Sequence, residues 1–358
     1  MSAIEYIALI LNLLICLPSV ASMTKFDYWW VRVFDFPRIQ IAVLIVLNII
    51  LGLYAYSFSH WSQYAILILL GIGLVYQCWL ILPYTILWPK QVIKYGGTEN
   101  KNIISILVSN VLTTNSEYHR LIDLIKLKDP DVFLTLESDH KWEKALSVLE
   151  ESYTYTVKIP LDNLYGMHLY SKLPLEETEV KYLIKDHIPS IHGKIKLANG
   201  KSANFHCLHP RPPSPTESKT STNRDAELLL VGKNIEEDAK LVLVFGDLND
   251  VAWSRTTKMF QKISGLMDPR RGRGFFNTFT TRNILMRWPL DHVFHSNDFT
   301  LIEMSRERDI GSDHFPMYIK LNYTPEAEWE QDELNASQSD REWADKKIEK
   351  GEKNEKND

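Results

Sequence analysis

The sequence predicts a mixed α/β domain, two packed sheets flanked by helices, carried behind transmembrane helices. Three observations predict it. Residues 1–90 contain three uncharged apolar runs. Residues 103–323 alternate strand-like and helix-like segments, and several of the strands are apolar on both faces. Residues 324–358 are dense in Glu, Asp, Lys, Asn and Gln, and read as a charged, solvated tail, disordered or partly helical, and not as a packed domain.

The apolar runs lie at about 4–22, 39–58 and 64–84. A spanning helix needs about 20 mostly apolar residues, and the second and third runs meet that directly. The first does so if Glu5 sits at the interface. Trp29, Trp30, Trp61, Trp79 and Trp88 fall near the ends of these runs, as an aromatic belt would. A signal peptide is the competing reading of the first run, but it lacks a basic leader. Lys25, Arg32 and Arg38 lie in the first loop, and Lys90, Lys94 and Lys101 follow the third span. The N-terminus and the second loop carry no Lys or Arg. The positive-inside rule then expects an integral protein of a bacterial inner membrane with its C-terminal domain in the cytoplasm.

After a linker of turn formers at 91–102, strands are expected at 103–110, 131–137, 153–159, 166–171, 191–197 and 203–208. Helices are expected at 117–128 and 141–151. A Pro-rich loop, His209 to Pro215, leads to a helix at 223–235 and then to the apolar strand Leu241-Val-Leu-Val-Phe. A long loop at 251–288 precedes strands at 290–295 and 316–322. That loop carries Arg255, Lys258, Lys262, Arg270, Arg271, Arg273, Arg282 and Arg287 against one acid, Asp268. A basic rim of this kind would attract a polyanion, or would be a solvated loop near an anionic membrane.

The net charge of −5 argues against a global field for nucleic acid. Three scattered cysteines, Cys16, Cys78 and Cys207, argue against a disulfide framework and a zinc site. Polar, metal-competent residues recur instead where apolar strands begin or end. Asn110 and Glu137 end strands, His209 ends another, and Asp247 and Asn249 follow the buried strand at 241–245. Asp291 starts a strand, and Asp313-His314 precedes the last one. Singly, each has a bland reading as a cap, a turn or a surface group. Together they suggest phosphate-ester hydrolysis. Oxygen donors suit Mg²⁺ or Mn²⁺, and a histidine–carboxylate pair suits proton transfer near neutral pH.

Ser109-Asn110, Leu136-Glu137, Leu208-His209-Pro210, Gly246-Asp-Leu-Asn-Asp250, Pro289-Leu-Asp-His-Val293 and Gly311-Ser-Asp-His-Phe-Pro316 follow one another in order. This set resembles the endonuclease/exonuclease/phosphatase, or DNase-I-like, superfamily, and with the N-terminal spans it looks like a membrane-anchored bacterial branch. The resemblance implies a four-layer α/β/β/α sandwich with the site at one edge of the sheets. It implies Glu137, Asn110 and Asp313 as metal ligands, with Asp247 and Asn249 around the attacking water. It implies His209 and His314 on the phosphate, and Asp291 orienting His314. His292 and His206 are expected to pack away from the site. Leu136 stands where many nucleases of this family carry Gln, which leaves the substrate open between nucleic acid and phospholipid or inositol phosphate. A lipid bilayer is the other expected partner, and no obligate protein partner is implied. A non-catalytic membrane scaffold is the reading from another class.

Overall fold

The computed structural model describes residues 1–97, 102–235 and 241–355. The chain divides into two units, one comprising Met1–Pro89 with Pro213–Ser221, the other Lys90–Pro212 with Thr222–Asp358.

The first unit is helical. α1 (Ala3–Met23), the short α2 (Trp29–Arg32), α3 (Arg38–Ala55) and α4 (Trp61–Ile81) follow in order. The Ser2 hydroxyl accepts the Glu5 N–H, while the Glu5 carboxylate accepts the Ser2 N–H, a reciprocal cap that starts α1. α1, α3 and α4 pack through Ala8, Cys16, Ile41, Ile45, Ile66 and Leu70. Their other faces expose Leu13, Leu47 and Ile68, among many apolar side chains. All three are long and apolar enough to cross a membrane by length and composition. Polar side chains inside this unit bond to one another. Asn12 donates to the Tyr56 hydroxyl at 2.9 Å. Arg38 donates to Asp35 at 2.6 Å and to Gln77 at 3.0 Å. The loop 213–221 joins this unit through the Trp29 N–H, which donates to the Lys219 carbonyl at 3.0 Å.

The second unit holds two sheets. Its strands are β1 (Ile103–Asn110), β2 (Val132–Leu136), β3 (Tyr155–Ile159), β4 (Met167–Ser171), β5 (Leu175–Lys181), β6 (Ser190–Lys196), β7 (Ser202–Leu208), β8 (Val242–Asp247), β9 (Asp291–His295), β10 (Phe299–Arg306) and β11 (Met317–Tyr323). One sheet runs β10-β11-β1-β2-β4-β3 and the other β5-β6-β7-β8-β9. Side-chain alternation along each strand decides the layers. On β1, Ile104, Ile106 and Val108 face the core between the sheets, where they meet Phe205, Leu243 and Phe245. Leu107 faces the other way, toward Leu121 and Ile125 of α5 (Tyr118–Lys128) and Trp142 of α6 (His140–Leu146). On the far side, Val242 and Val244 of β8 meet Leu228 and Val231 of α7 (Thr222–Asn234) and Phe260 of α8 (Arg255–Ser264). The result is the four-layer α/β/β/α sandwich, and both faces of β1 and β8 are covered. Their near-continuous apolar sequences follow from that double burial.

Four elements differ from expectation. β5 and β10 were not expected, and both are sheet edges. An edge strand is half solvated, so Leu175-Glu-Glu-Thr-Glu-Val-Lys181 carries no apolar run to announce it. Within the expected loop 251–288, α8 forms, capped by Ser254, whose side chain accepts the Thr257 N–H. The tail, expected to be solvated, contains α9 (Gln338–Glu355), which docks by burying Ala344 and Ile348 against Leu229 and Met259. Ion pairs reinforce it: Lys233–Asp345 and Lys262–Asp340 at 2.5 and 2.6 Å, and the buried Lys347–Asp225 at 3.2 Å. Composition hid the docking of this helix because only two or three apolar residues are needed for it. Of the expected linker, residues 98–101 lie outside the described residues. Ile93 and Tyr95 bond to the backbone of Leu301 on β10, so this stretch is part of the sheet edge. The tail residues 356–358 also lie outside the described residues.

Candidate active site

The ends of four central strands, the start of the edge strand β9 and one loop meet at one edge of the sandwich. β1 and β2 run parallel with Asn110 opposite Leu136, so Glu137 leaves β2 beside Asn110. β7 and β8 run parallel with Leu208 opposite Gly246, which brings His209 beside Asp247. β9 runs antiparallel to β8 and pairs Asp291 with Asp247. The Ser312–His314 segment is tied in by the Ser312 hydroxyl, which donates to the Asn110 carbonyl at 2.8 Å.

Backbone conformation helps aim these groups. Gly246 has φ 149°, and a Cβ there would stand 1.9 Å from the Leu208 carbonyl oxygen. Only glycine lets β7 and β8 approach so closely at this point. Gly166 plays the matching part in the other sheet, where a Cβ would stand 1.9 Å from the Ser138 oxygen. Glu137 and Asn249 adopt the left-handed region, at φ 57° and 50°. That region is uncommon for residues with a Cβ and concentrates at functional sites.

The side chains form one connected cluster. Asn110 Nδ2 donates to Glu137 Oε1 at 2.8 Å and to Asp247 Oδ2 at 3.1 Å. Asp247 Oδ1 accepts the Asn249 N–H at 2.9 Å. His314 lies between two carboxylates, with Nδ1 2.8 Å from Asp291 Oδ2 and Nε2 3.6 Å from Asp247 Oδ2. His209 Nε2 is 3.9 Å from Asp247 Oδ2, and its buried Nδ1 has no hydrogen-bond partner. Asn249 points its amide to the Pro210 carbonyl at 3.1 Å. The Asp313 carbonyl accepts the Thr281 N–H at 2.9 Å, and its carboxylate repels the charge of Glu137.

Burial and charge set the proton states. Burial pushes Glu137 up to about 7; Asn110 and His314 oppose this, and Asp247 and Asp313 add to it. Burial likewise raises Asp247, against the pull of His314. Burial disfavours a charged His314, yet Asp291 and Asp247 outweigh it and raise its pKa to about 10. His209 goes the other way: burial lowers it and Asp247 only partly compensates. The cluster therefore holds one imidazolium, one neutral imidazole and several carboxylates short of positive charge.

All eight residues expected from the sequence lie within residues 107–314. Over that range, more than half of the chain, the sequence profile of the Endonuclease/Exonuclease/phosphatase family matches. The chain belongs to this family. No curated protein matches it in sequence. Solved structures of the same fold include D. rerio TDP2 complexed with single strand DNA product, 17% identical with TM-score 0.51, covering 62% of this chain and 99% of that one. An endonuclease/exonuclease/phosphatase family protein from Bacteroides thetaiotaomicron is also 17% identical with TM-score 0.51, covering 63% and 99%. The human Nocturnin catalytic domain with bound sulfate is 16% identical with TM-score 0.51, covering 63% and 97%. Family members are typically metal-dependent phosphoesterases. Among the described residues there is one group of three possible ligands, Asp247, Asp291 and His314, with atoms within 4.8 Å of one another.

The sequence did not point to the groups that hold the cluster from behind. Arg224 of α7 donates to the Asn249 carbonyl at 2.8 Å and pairs with Asp250 at 3.2 Å. His292 turns away from Asp291, as strand alternation requires. Its Nδ1 must accept, because its neighbour is an arginine, the NH2 of Arg270 at 2.5 Å. Its Nε2–H then donates to the Asp250 carbonyl at 2.8 Å. Arg270 is itself paired with Asp268 at 2.7 Å in the interior, and Arg273 donates to the Pro269 and Val92 carbonyls. Those arginines, with Lys262 on Asp340, build the fold and do not form the basic rim that the loop's composition suggested. His206 lies outside the cluster, its Nδ1 2.7 Å from Nδ1 of His192. A helix register for Arg224 and a paired Asp-x-Arg at 268–270 are the only sequence signals that could have found these supports.

Proposed function

We propose that this chain is a membrane-anchored, divalent-metal-dependent phosphodiesterase. The observation that carries this is the convergence of Asn110, Glu137, Asp247, Asp291 and His314 in one hydrogen-bonded cluster. Two ligand sets compete for a cation. His314 in the Asp247–Asp291–His314 group is held protonated, and a protonated ring cannot ligate a metal. Glu137, with Asn110 and Asp313 nearby, is the better fit, because a buried carboxylate raised to about 7 lacks a countercharge. A hard cation bound there would neutralise charge on a phosphoryl oxygen.

The protein groups then divide the work. Asp247, next to Asn249 and facing the His314 imidazolium that offsets its burial, takes a proton from the attacking water as its oxygen bonds to phosphorus. The ester P–O bond opposite breaks, and the leaving oxygen takes the bonding pair and a proton from solvent. His314, fixed by Asp291, donates a charge-assisted hydrogen bond to the phosphoryl oxygens as negative charge builds. His209, neutral and buried, contributes its N–H to the same group.

The test uses the full chain in detergent, offered bis(p-nitrophenyl) phosphate, plasmid DNA, RNA and inositol phosphates with Mg²⁺, Mn²⁺ or EDTA. Metal-dependent turnover that disappears in Asp247→Asn and His314→Gln is expected. A well-folded protein that hydrolyses nothing in this panel, nor lipid phosphates in a bilayer, would point to a scaffold that kept the fold.

A further inference from the structure

The segment Thr281–Trp288 ends in a tip that the proposed chemistry does not use. A short 3-10 turn, Ile284–Met286, leaves Ile284, Leu285 and Met286 exposed at 74%, 73% and 50%. Among the described residues of this unit, no other place exposes three consecutive large apolar side chains. The tip is firmly built. The Asn283 side chain accepts the Leu285 N–H at 2.9 Å, and Arg287 donates to the Thr280 and Thr281 carbonyls at 3.1 and 3.3 Å. Its base rests on the candidate site. The Thr281 hydroxyl donates to the Ser312 carbonyl at 2.8 Å, and the Phe279 ring lies 4.9 Å from His314.

An ordered apolar tip exposed to water marks an interaction surface. Two features identify its chemistry. The tip is aliphatic, so it offers no ring faces on which bases could stack; the aromatic rings here, Phe279 and Trp288, stack on each other at its base. The tip is flanked by Arg282 and Arg287, and no acidic residue occurs between Pro269 and Leu290. Aliphatic side chains between arginines suit the headgroup boundary of an anionic bilayer, with the apolar groups below and the cations at phosphate level. The same chain carries three helices apolar enough to cross such a bilayer.

We propose that this loop is an interfacial anchor that seats Ile284, Leu285 and Met286 in an anionic bilayer, so that the adjacent site draws its phosphate esters from lipid headgroups. The substrate part rests on the phosphodiesterase reading above; the anchoring part does not.

The experiment uses the full chain in nanodiscs of phosphatidylcholine with a minor fraction of phosphatidylglycerol. Leu285→Cys, in a Cys78→Ser background, carries an environment-sensitive fluorophore. Val148→Cys, at a position 64% exposed, is the control. The Leu285 probe is expected to shift to the blue and to be quenched by acyl-chain spin-labelled lipid, and the Val148 probe is not. Water-like emission from both probes overturns the anchor. So does a Leu285 probe that ignores the lipid quencher and responds only to a single-stranded oligonucleotide, which would assign the tip to nucleic acid.

The second arm compares wild type with Ile284→Ser/Leu285→Ser/Met286→Ser on soluble bis(p-nitrophenyl) phosphate and on inositol phospholipid in the nanodisc. Soluble turnover is expected to stay within about twofold, and lipid-phosphate turnover to fall at least about tenfold. Equal lipid turnover in both proteins overturns the substrate assignment. If wild type turns over neither substrate, the phosphodiesterase reading fails and takes the substrate assignment with it, while the probe readout still decides the anchor.

Discussion

His314 and Asp291 form a 2.8 Å pair in the candidate site, and their division of labour is testable one atom at a time. Asp291→Asn keeps the shape of the side chain and removes the charge that holds His314 protonated. In the proposed mechanism this lowers kcat by about 10²–10⁴-fold with little change in KM. Steady-state kinetics on a chromogenic diester will show it; a variant as active as wild type would exclude His314 from the charged role. Gly246 poses a backbone question at the same place. Gly246→Ala puts a methyl group against the Leu208 carbonyl, so β7 and β8 must part. A loss of about 2–4 kcal/mol in urea unfolding is expected, along with loss of activity, because His209 and Asp247 stand on those two strands.

At the scale of elements, the α7–α8–α9 layer makes two predictions. Glu227 lies buried on α7, its Oε1 without a hydrogen-bond partner, and burial raises its pKa to about 8. An acid raised on folding binds its proton more tightly in the native state. From its ordinary value near 4.5 up to about 8, the unfolded chain ionises first, so stability falls as pH rises through that window. Glu227→Gln removes the fall. The variant should gain about 1–3 kcal/mol over wild type at about pH 9 relative to about pH 5; an equal difference at both pH values would show that the carboxyl is solvated. α9 makes the second prediction. Truncation after Tyr323 uncovers Leu229 and Met259 and leaves the buried Asp225 without Lys347. The domain should lose about 3 kcal/mol or more, read as a fall in melting temperature, and because Asp225 also pairs with Arg224 behind Asn249, activity should fall too.

At the scale of the whole molecule, three apolar helices and a phosphoesterase fold lie in one chain, and under the proposed membrane anchoring the side follows from a few charges. Two of the basic residues counted in the first loop, Arg32 and Arg38, share the carboxylate of Asp35. The positive-inside rule counts Lys and Arg largely regardless of such acids, so the proposal stands that the C-terminal domain is cytoplasmic. A C-terminal green fluorescent reporter should glow and a C-terminal alkaline phosphatase should stay inactive; the reverse pattern inverts the topology.

The sequence by itself determined the class of this protein. Apolar runs were legible as the three long apolar helices, the central strands β1, β2, β7 and β8 and the edge strand β9. The residues at those strand ends were legible too, because a polar group after a buried run has few structural reasons to be there. Sequence could not show β5, β10 or the docking of α9, since elements at an edge or an outer surface need only a few apolar contacts and keep a solvated composition. Nor could it separate Arg270, which holds the interior together, from the arginines beside the exposed tip at 284–286, because charge carries no label of depth. Those distinctions belong to the tertiary structure. It alone brings residues as distant as Asn110 and Ser312 into hydrogen-bonding contact, and only that proximity sets the proton state of His314.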